Sequence, residues 1–335
     1  MLNPAEDSPL PARLVSVGAY RPRTCLDNDE LARAHALDTS DAWIRQRTGI
    51  ATRHIASPGE SLEFMGARAA ERALARAGFT DQGAQAADCI LAASMSHLDS
   101  SQSLARGISK ELGGRHATFD VSAACAGFCV GLELARCLIA TRTFRRILVV
   151  GAERMSDIVD PHDRTTSVIF ADGAGAGLVC AAPEPEIGPA AWGTEGAAGR
   201  LLHRSPLAPI AAAPEGPPAY LTMRGPELYR WVMGTVPRAA REALDKAGVH
   251  TDDLSAVVLH QANDRMTTAL VAALGLPPHV VVSHDVVSSG NTSAASVPLA
   301  VDALLADHPD LSGKLALLTG FGAGLTFAAQ VVRLP

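Results

Sequence analysis

The sequence predicts an α/β fold made of two related halves. Three observations carry that prediction: strand-like apolar runs alternate with longer helical ones, two short motifs recur in the same order, and the apolar residues are mostly small. LVSVGAY (14–20), CILAAS (89–94), ATFDVS (117–122) and ILVVGA (147–152) read as buried strands. Between the first two, LEFMGARAAERALARAG (62–78) has helical periodicity and stops at a glycine. Strands separated by helices favour mostly parallel or mixed sheets.

The internal echo is the main sign of duplication. AAERALARAG (69–78) resembles AAREALDKAG (239–248), and after a polar loop each is followed by a strand, DCILAAS (88–94) and SAVVLHQ (255–261). A second echo, GAGAGL (173–178) and GFGAGL (320–325), closes each half ahead of the apolar runs 179–182 and 326–332. The Pro-rich stretch APEPEIGPA divides the chain into residues 1–183 and 184–335. Residues 195–220 read as an irregular surface excursion.

Composition narrows the function. Of 335 residues 47% are hydrophobic and only 4% aromatic, so a large core is available but few stacking platforms for bases are. The net charge of −6, with no run of Lys or Arg, argues against nucleic acid as a partner. The six cysteines match neither a zinc-site spacing nor a small disulfide framework. The acidic, Pro-containing N-terminus lacks the pattern of a signal peptide, and no apolar run reaches the ~20 residues that span a bilayer. A cytoplasmic location and no membrane are therefore expected.

TFDVSAACAGFCVGLELARCLIA (118–140) reads as strand, small-residue turn, then a helix apolar nearly all round, which would be buried. Cys125 stands at the helix entry. There the free N–H groups and positive dipole end favour an anion, and a thiolate is expected. Its own N–H could also meet an oxyanion. Free cysteines are commonly small buried hydrophobes, and Cys129 and Cys137 are assigned to core packing.

His260 closes the apolar strand of SAVVLHQANDRM (255–266); alone, such a histidine is more often structural. SSGNTSAASVPLAVDALL (288–305) is a Gly-Asn loop opening onto a small-residue helix, and read locally its Asn is a cap. GFGAGLTFA (320–328) lacks the lysine and the strand–loop–helix context of a phosphate loop.

Taken together, SAACAGF, DPHDRTTSVIFADGAGAG, HQANDR, GNTSAAS and GFGAG resemble, in order, the motifs of the ketoacyl-ACP synthase III family of the thiolase superfamily. The resemblance spans residue 12 to the C-terminus. It implies a five-layered αβαβα thiolase fold of two similar halves, a homodimer, and no permanently bound cofactor or metal. It implies that Cys125 carries an acyl group, with His260 and Asn291 completing the site, and that the N–H groups of Cys125 and Ala323 form the oxyanion hole. AWIRQRTGI (42–50) resembles the coenzyme A segment. On that basis Trp43 stacks on adenine, Arg47 and Arg164 meet the nucleotide, Asn263 anchors beside the histidine, and Arg265 docks a carrier protein.

The activity so implied is decarboxylative Claisen condensation of a starter acyl-CoA with malonyl-ACP, initiating fatty-acid or polyketide synthesis. Transfer of the acyl group from Cys125 to an alcohol, amine or carrier protein is the alternative, and a non-catalytic partner subunit the remote one. Three departures bear on substrate choice: Pro226 where bacterial fatty-acid members often have Asn, Ala323 where Gly is commoner, and Ser288–Ser289 where many have a His before the Gly-Asn pair. SAACAGFC, GAERMSD and GFGAGL look similar to actinobacterial members, including those that prime aromatic polyketide synthases. The loop 94–105 is expected to set tunnel depth.

Overall fold

The computed structural model describes residues 8–80, 83–98, 101–204 and 220–335. The first half runs β1 (Ala12–Tyr20), β2 (Thr24–Asp27), α1 (Asn28–Ala34), α2 (Asp41–Thr48), β3 (Thr52–Ile55), α3 (Leu62–Arg76), β4 (Cys89–Ala93), α4 (Leu104–Glu111), β5 (Ala117–Asp120), α5 (Gly127–Ala140), β6 (Arg146–Arg154) and β7 (Asp172–Ala181). It continues as β8 (Ala191–Thr194), β9 (Leu202–Arg204), β10 (Leu221–Met223), α6 (Gly225–Ala247), β11 (Ala256–Leu259), α7 (Asp264–Leu274), β12 (Val281–Val282), α8 (Val286–Ser289), α9 (Ser296–Asp307), β13 (Leu315–Gly322) and β14 (Thr326–Arg333).

Two five-stranded sheets have the same layout. The first is ordered β1-β7-β6-β4-β5 and the second, read from its other edge, β8-β14-β13-β11-β12. In both, the first three strands pair antiparallel and the last three parallel. The chain therefore builds one mixed α/β unit twice, as the echo between α3 and the C-terminal part of α6 suggests.

Helix chemistry explains the layering. In α3 the apolar positions Leu62, Met65, Ala69, Ala73 and Leu74 recur at helical spacing and are buried. Ser61 caps the helix by accepting from Phe64 N–H, and Gly78, at φ +84°, follows its end. α3 and α4 pack on the outer face of the first sheet, where Met65, Leu104 and Ile108 meet Ile90, Leu148 and Val150. α6 and α7 cover the second sheet through Val232, Val236, Leu270 and Leu274. α5 and α9 lie between the sheets; Phe128, Leu132, Val297 and Val301 share one cluster with Leu14, Val149, Val258 and Leu318. Helix, sheet, two central helices, sheet and helix make five layers. Fully burying a side chain such as Phe128 or Leu132 contributes roughly 1.5–3 kcal/mol.

Several expectations need correction. The second echo joins positions that are not equivalent: GAGAGL lies inside β7, whereas GFGAGL ends β13 and forms the turn before β14, the true counterpart of β7. The described part of the 195–220 segment lies at the surface, with Glu195, Gly196, Ala197, Arg200 and His203 exposed, but it is not wholly irregular. Leu201, Leu202 and Leu221 are buried, and β9 pairs with β10; residues 205–219 lie outside the described residues. Cys137 is exposed and touches Glu133, so of the two helix cysteines Cys129 joins the core and Cys137 does not. Of the 94–105 loop, Asp99 and Ser100 lie outside the described residues. Among the described residues no helix is long and apolar enough to cross a membrane.

Candidate active site

Cys125, His260 and Asn291 line one cavity of about 930 Å³, although they come from three separate stretches of chain. Cys125 sits in a 3₁₀ turn, Ala124–Ala126, that leads into α5. His260 follows β11, and its N–H donates to the Thr319 carbonyl (2.7 Å) of β13. Asn291 stands between α8 and α9, and its carbonyl accepts from Ala171 N–H (2.9 Å) of the first half. All three side chains are nearly excluded from solvent, at 3%, 3% and 5% exposure.

The segment 291–296 orients all three. Ser293 N–H donates to Asn291 Oδ1 (2.9 Å), which leaves the amide NH₂ as the end presented to the cavity. Ser293 Oγ lies 3.2 Å from Cys125 Sγ, and Ser296 Oγ lies 2.7 Å from His260 Nδ1. The Phe321 ring packs edge-on against the imidazole, with centroids 5.1 Å apart. The buried Glu153 carboxylate ties this segment to the loop after β4. It accepts from Ala294 N–H, Met95 N–H, Ser96 N–H and the Ser96 hydroxyl. Gly151 of β6 permits the approach, because a β-carbon there would stand 2.3 Å from the Ala294 carbonyl oxygen.

The electrostatics correct one expectation. Burial pushes the Cys125 pKa up to about 12, opposite to the lowering expected of a helix entry. The Ser293 hydroxyl and the backbone N–H groups of Ala323 and Cys125 pull it down, but less than burial and the Glu153 charge raise it. The helix entry alone does not outweigh a dry environment. Those two N–H groups nevertheless converge on Sγ. His260 is pushed down to about 3 by burial and is a neutral imidazole at physiological pH. Gly322 is required beside the thiol, since a β-carbon there would come within 2.7 Å of Cys125 Sγ.

The outer part of the cavity is cationic. Arg47, Arg164 and Arg265 are exposed and line it. The Arg47 and Arg164 guanidinium carbons lie 5.5 and 5.3 Å from the Trp43 ring centroid, which makes a planar and positive group. Arg164 also donates to the Asp38 carbonyl, and Arg265 to that of Gln46. Asn263 lines the cavity, but its Oδ1 is used to cap α7, accepting from Met266 N–H (2.9 Å). Pro226 lines it too, in the first turn of α6, where proline is tolerated because no N–H is needed. The walls between are apolar, including Val168, Phe170, Met223 and Leu228.

Two family models match the chain: 3-oxoacyl-(acyl-carrier-protein) synthase III over residues 119–196, and its C-terminal part over residues 244–334. These stretches contain Cys125, His260 and Asn291. The beta-ketoacyl-acyl-carrier-protein synthase III 1 of Streptomyces avermitilis is 40% identical, covering 97% of each chain.

The chain belongs to the 3-oxoacyl-(acyl-carrier-protein) synthase III family.

The synthase III of Streptomyces glaucescens is 41% identical over 100% of this chain and 99% of that one. Among solved structures, the priming β-ketosynthase of the R1128 polyketide pathway superposes with a TM-score of 0.93 at 41% identity, covering 100% and 98% of the two chains. The synthase III of Aquifex aeolicus superposes at 0.87 with 34% identity, covering 96% and 99%. As a member of the synthase III family the chain has the thiolase fold expected from its motifs. The family motifs pointed to Cys125, His260 and Asn291. They did not point to Ser293, Ser296, Phe321 or Glu153. The one available signal was the serine content of GNTSAAS, just ahead of the apolar run VPLAV (297–301).

Proposed function

We propose that the protein is a transferase that condenses a starter acyl-CoA with malonyl-ACP, with loss of carbon dioxide, to begin a fatty-acid or polyketide chain. The observation that carries this reading is the meeting of Cys125, His260 and an oriented Asn291 amide in one cavity. The residues 1–183 supply the nucleophile and 184–335 the other two groups.

The acyl-CoA binds with its adenine against Trp43 and its phosphates near Arg47 and Arg164, and with pantetheine in the apolar channel. Asn263 borders the channel, and Arg265 at its mouth meets the acidic carrier protein. Cys125 sulfur attacks the thioester carbonyl while the oxyanion takes hydrogen bonds from the N–H groups of Cys125 and Ala323. Because the resting group is a thiol, its proton is lost in the course of attack and ends on the released CoA sulfur. A covalent intermediate divides one hard step into two easier ones.

Malonyl-ACP then enters, and loss of carbon dioxide leaves a thioester enolate. The neutral His260 ring and the Asn291 NH₂ donate to its oxygen, and the enolate carbon attacks the acyl-Cys125 carbonyl; the bond to Cys125 sulfur breaks, the sulfur takes a proton from solvent to restore the thiol, and the 3-ketoacyl-ACP product leaves. The balance needs no redox cofactor, since no electrons are gained or lost overall. The oriented Asn291 amide favours condensation over simple acyl transfer, which has no enolate to stabilise. A homodimer is supported by β5, which ends the order of its sheet and exposes Phe119, a natural place for a second copy to pair.

His260→Ala and Asn291→Ala test the division of labour. Both will still load Cys125 from acyl-CoA, read by intact mass. Each will release carbon dioxide from malonyl-ACP on the order of 100-fold more slowly, the usual cost of one preorganised donor. Failure of His260→Ala to be acylated would contradict the assignment.

A further inference from the structure

His260 can donate to an enolate only if its single proton sits on Nε2. A neutral imidazole has two tautomers, and the partner of the other nitrogen decides between them. That partner is Ser296, the first residue of α9, whose Oγ lies 2.7 Å from Nδ1. Both residues are buried, at 3% and 1% exposure, so water does not compete for the contact.

The direction of this hydrogen bond follows from a second contact. Gln261 N–H, the next residue along the chain, also points at Ser296 Oγ (3.4 Å). With Nδ1 protonated, the hydroxyl oxygen would accept both N–H groups on its two lone pairs, and the hydroxyl proton would be left without the acceptor that Nδ1 otherwise offers. With Nδ1 as acceptor, Gln261 N–H gives to Oγ and the hydroxyl gives to Nδ1. Gln261 N–H, the Ser296 hydroxyl and Nδ1 then each have a partner, and Nε2–H is left for the cavity that His260 lines.

We propose that Ser296 is a positioning residue that donates its hydroxyl proton to His260 Nδ1, fixing the Nε2–H tautomer that faces the reaction. The inference rests on the reading of His260 as the enolate's donor. Ser296 acts through His260 and touches no substrate. Phe321 packs on the ring independently, so removing the hydroxyl releases the tautomer without displacing the imidazole. The same α9 entrance thus sets the chemistry of the histidine through Ser296 and meets the nucleophile through Ser293.

Histidine-selective nitrogen NMR of the full-length protein reads the tautomer directly and needs no altered fold. His260 is expected to show a protonated Nε2 and a bare Nδ1 in the wild type, and a mixture in Ser296→Ala. In parallel, Cys125 is loaded from acetyl-, propionyl- and isobutyryl-CoA and read by intact mass. Radiolabelled malonyl-ACP is then added and carbon dioxide counted. Ser296→Ala should load like the wild type but release carbon dioxide roughly 10- to 100-fold more slowly, approaching loss of one oriented donor, and Ser296→Thr should recover most of the rate. A wild-type proton on Nδ1 overturns the proposal. So does a Ser296→Ala rate equal to wild type while His260→Ala is slow. Unchanged release by His260→Ala would instead remove the reading of His260, and the proposal with it.

Discussion

Gly322→Ala will slow acylation of Cys125 without unfolding the protein. The backbone at 322 is extended, with φ 172°, a conformation alanine adopts freely, so the effect is one of space. The new methyl would stand 2.7 Å from both Cβ and Sγ of Cys125. Favourable contacts lie near 3.5–4.0 Å, so the turn carrying the nucleophile must give way by about 1 Å. Overpacking of this kind costs about 1–3 kcal/mol of stability, which a large domain tolerates. A misplacement of about 1 Å at reacting atoms costs about 100-fold in rate, equivalent to roughly 2.7 kcal/mol of barrier. The assay is quenched intact-protein mass spectrometry against time after mixing with acyl-CoA, with thermal unfolding as the control. Loading within about threefold of wild type would refute the claim that Cys125 needs this close seat against β13.

Two further outcomes follow from the site. The raised Cys125 pKa means that thiolate forms only well above neutrality, so the rate of iodoacetamide alkylation should climb about tenfold per pH unit through pH 9 with no plateau; a plateau at or below pH 8 would contradict a buried neutral thiol. Trp43→Ala removes the ring against which Arg47 and Arg164 are held. It should raise KM for acyl-CoA about tenfold, as expected for losing an adenine stacking contact of about 1–3 kcal/mol, while leaving the kcat of the malonyl-ACP half-reaction unchanged.

Much of the fold was legible because local spacing sets it. The strands β4, β5 and β6 and the helix α5 were legible as apolar runs, although β5 is exposed at Phe119 and Asp120 rather than buried and α4 was not read, and α3 carries its own cap at Ser61 and glycine stop at Gly78. The duplication was legible in α3 and α6 for the same reason. It misled at GAGAGL and GFGAGL because small residues recur wherever strands pass close to central helices. The thiolate expectation at Cys125 failed because the helix entry is visible in sequence, whereas the packing that dries it is contributed by β13 and segment 291–296, far along the chain. Ser293 and Ser296 were missed likewise: their partners lie 168 and 36 residues away, and nothing local distinguishes a serine that orients a catalyst from one that caps a helix. Cys137 shows the reverse error, since a helix apolar in composition still leaves one face toward solvent.

The assigned chemistry turns on whether an acyl group on Cys125 is passed to a malonyl-derived carbon. Wild-type protein and Cys125→Ser are incubated with a panel of acyl-CoAs, weighed intact, and then given malonyl-ACP. One acyl mass should appear on wild type alone and be discharged as a longer 3-ketoacyl-ACP, with one carbon dioxide released per product. An acyl mass that malonyl-ACP leaves in place, or that leaves as a simple ester or amide with no carbon dioxide, would contradict that chemistry.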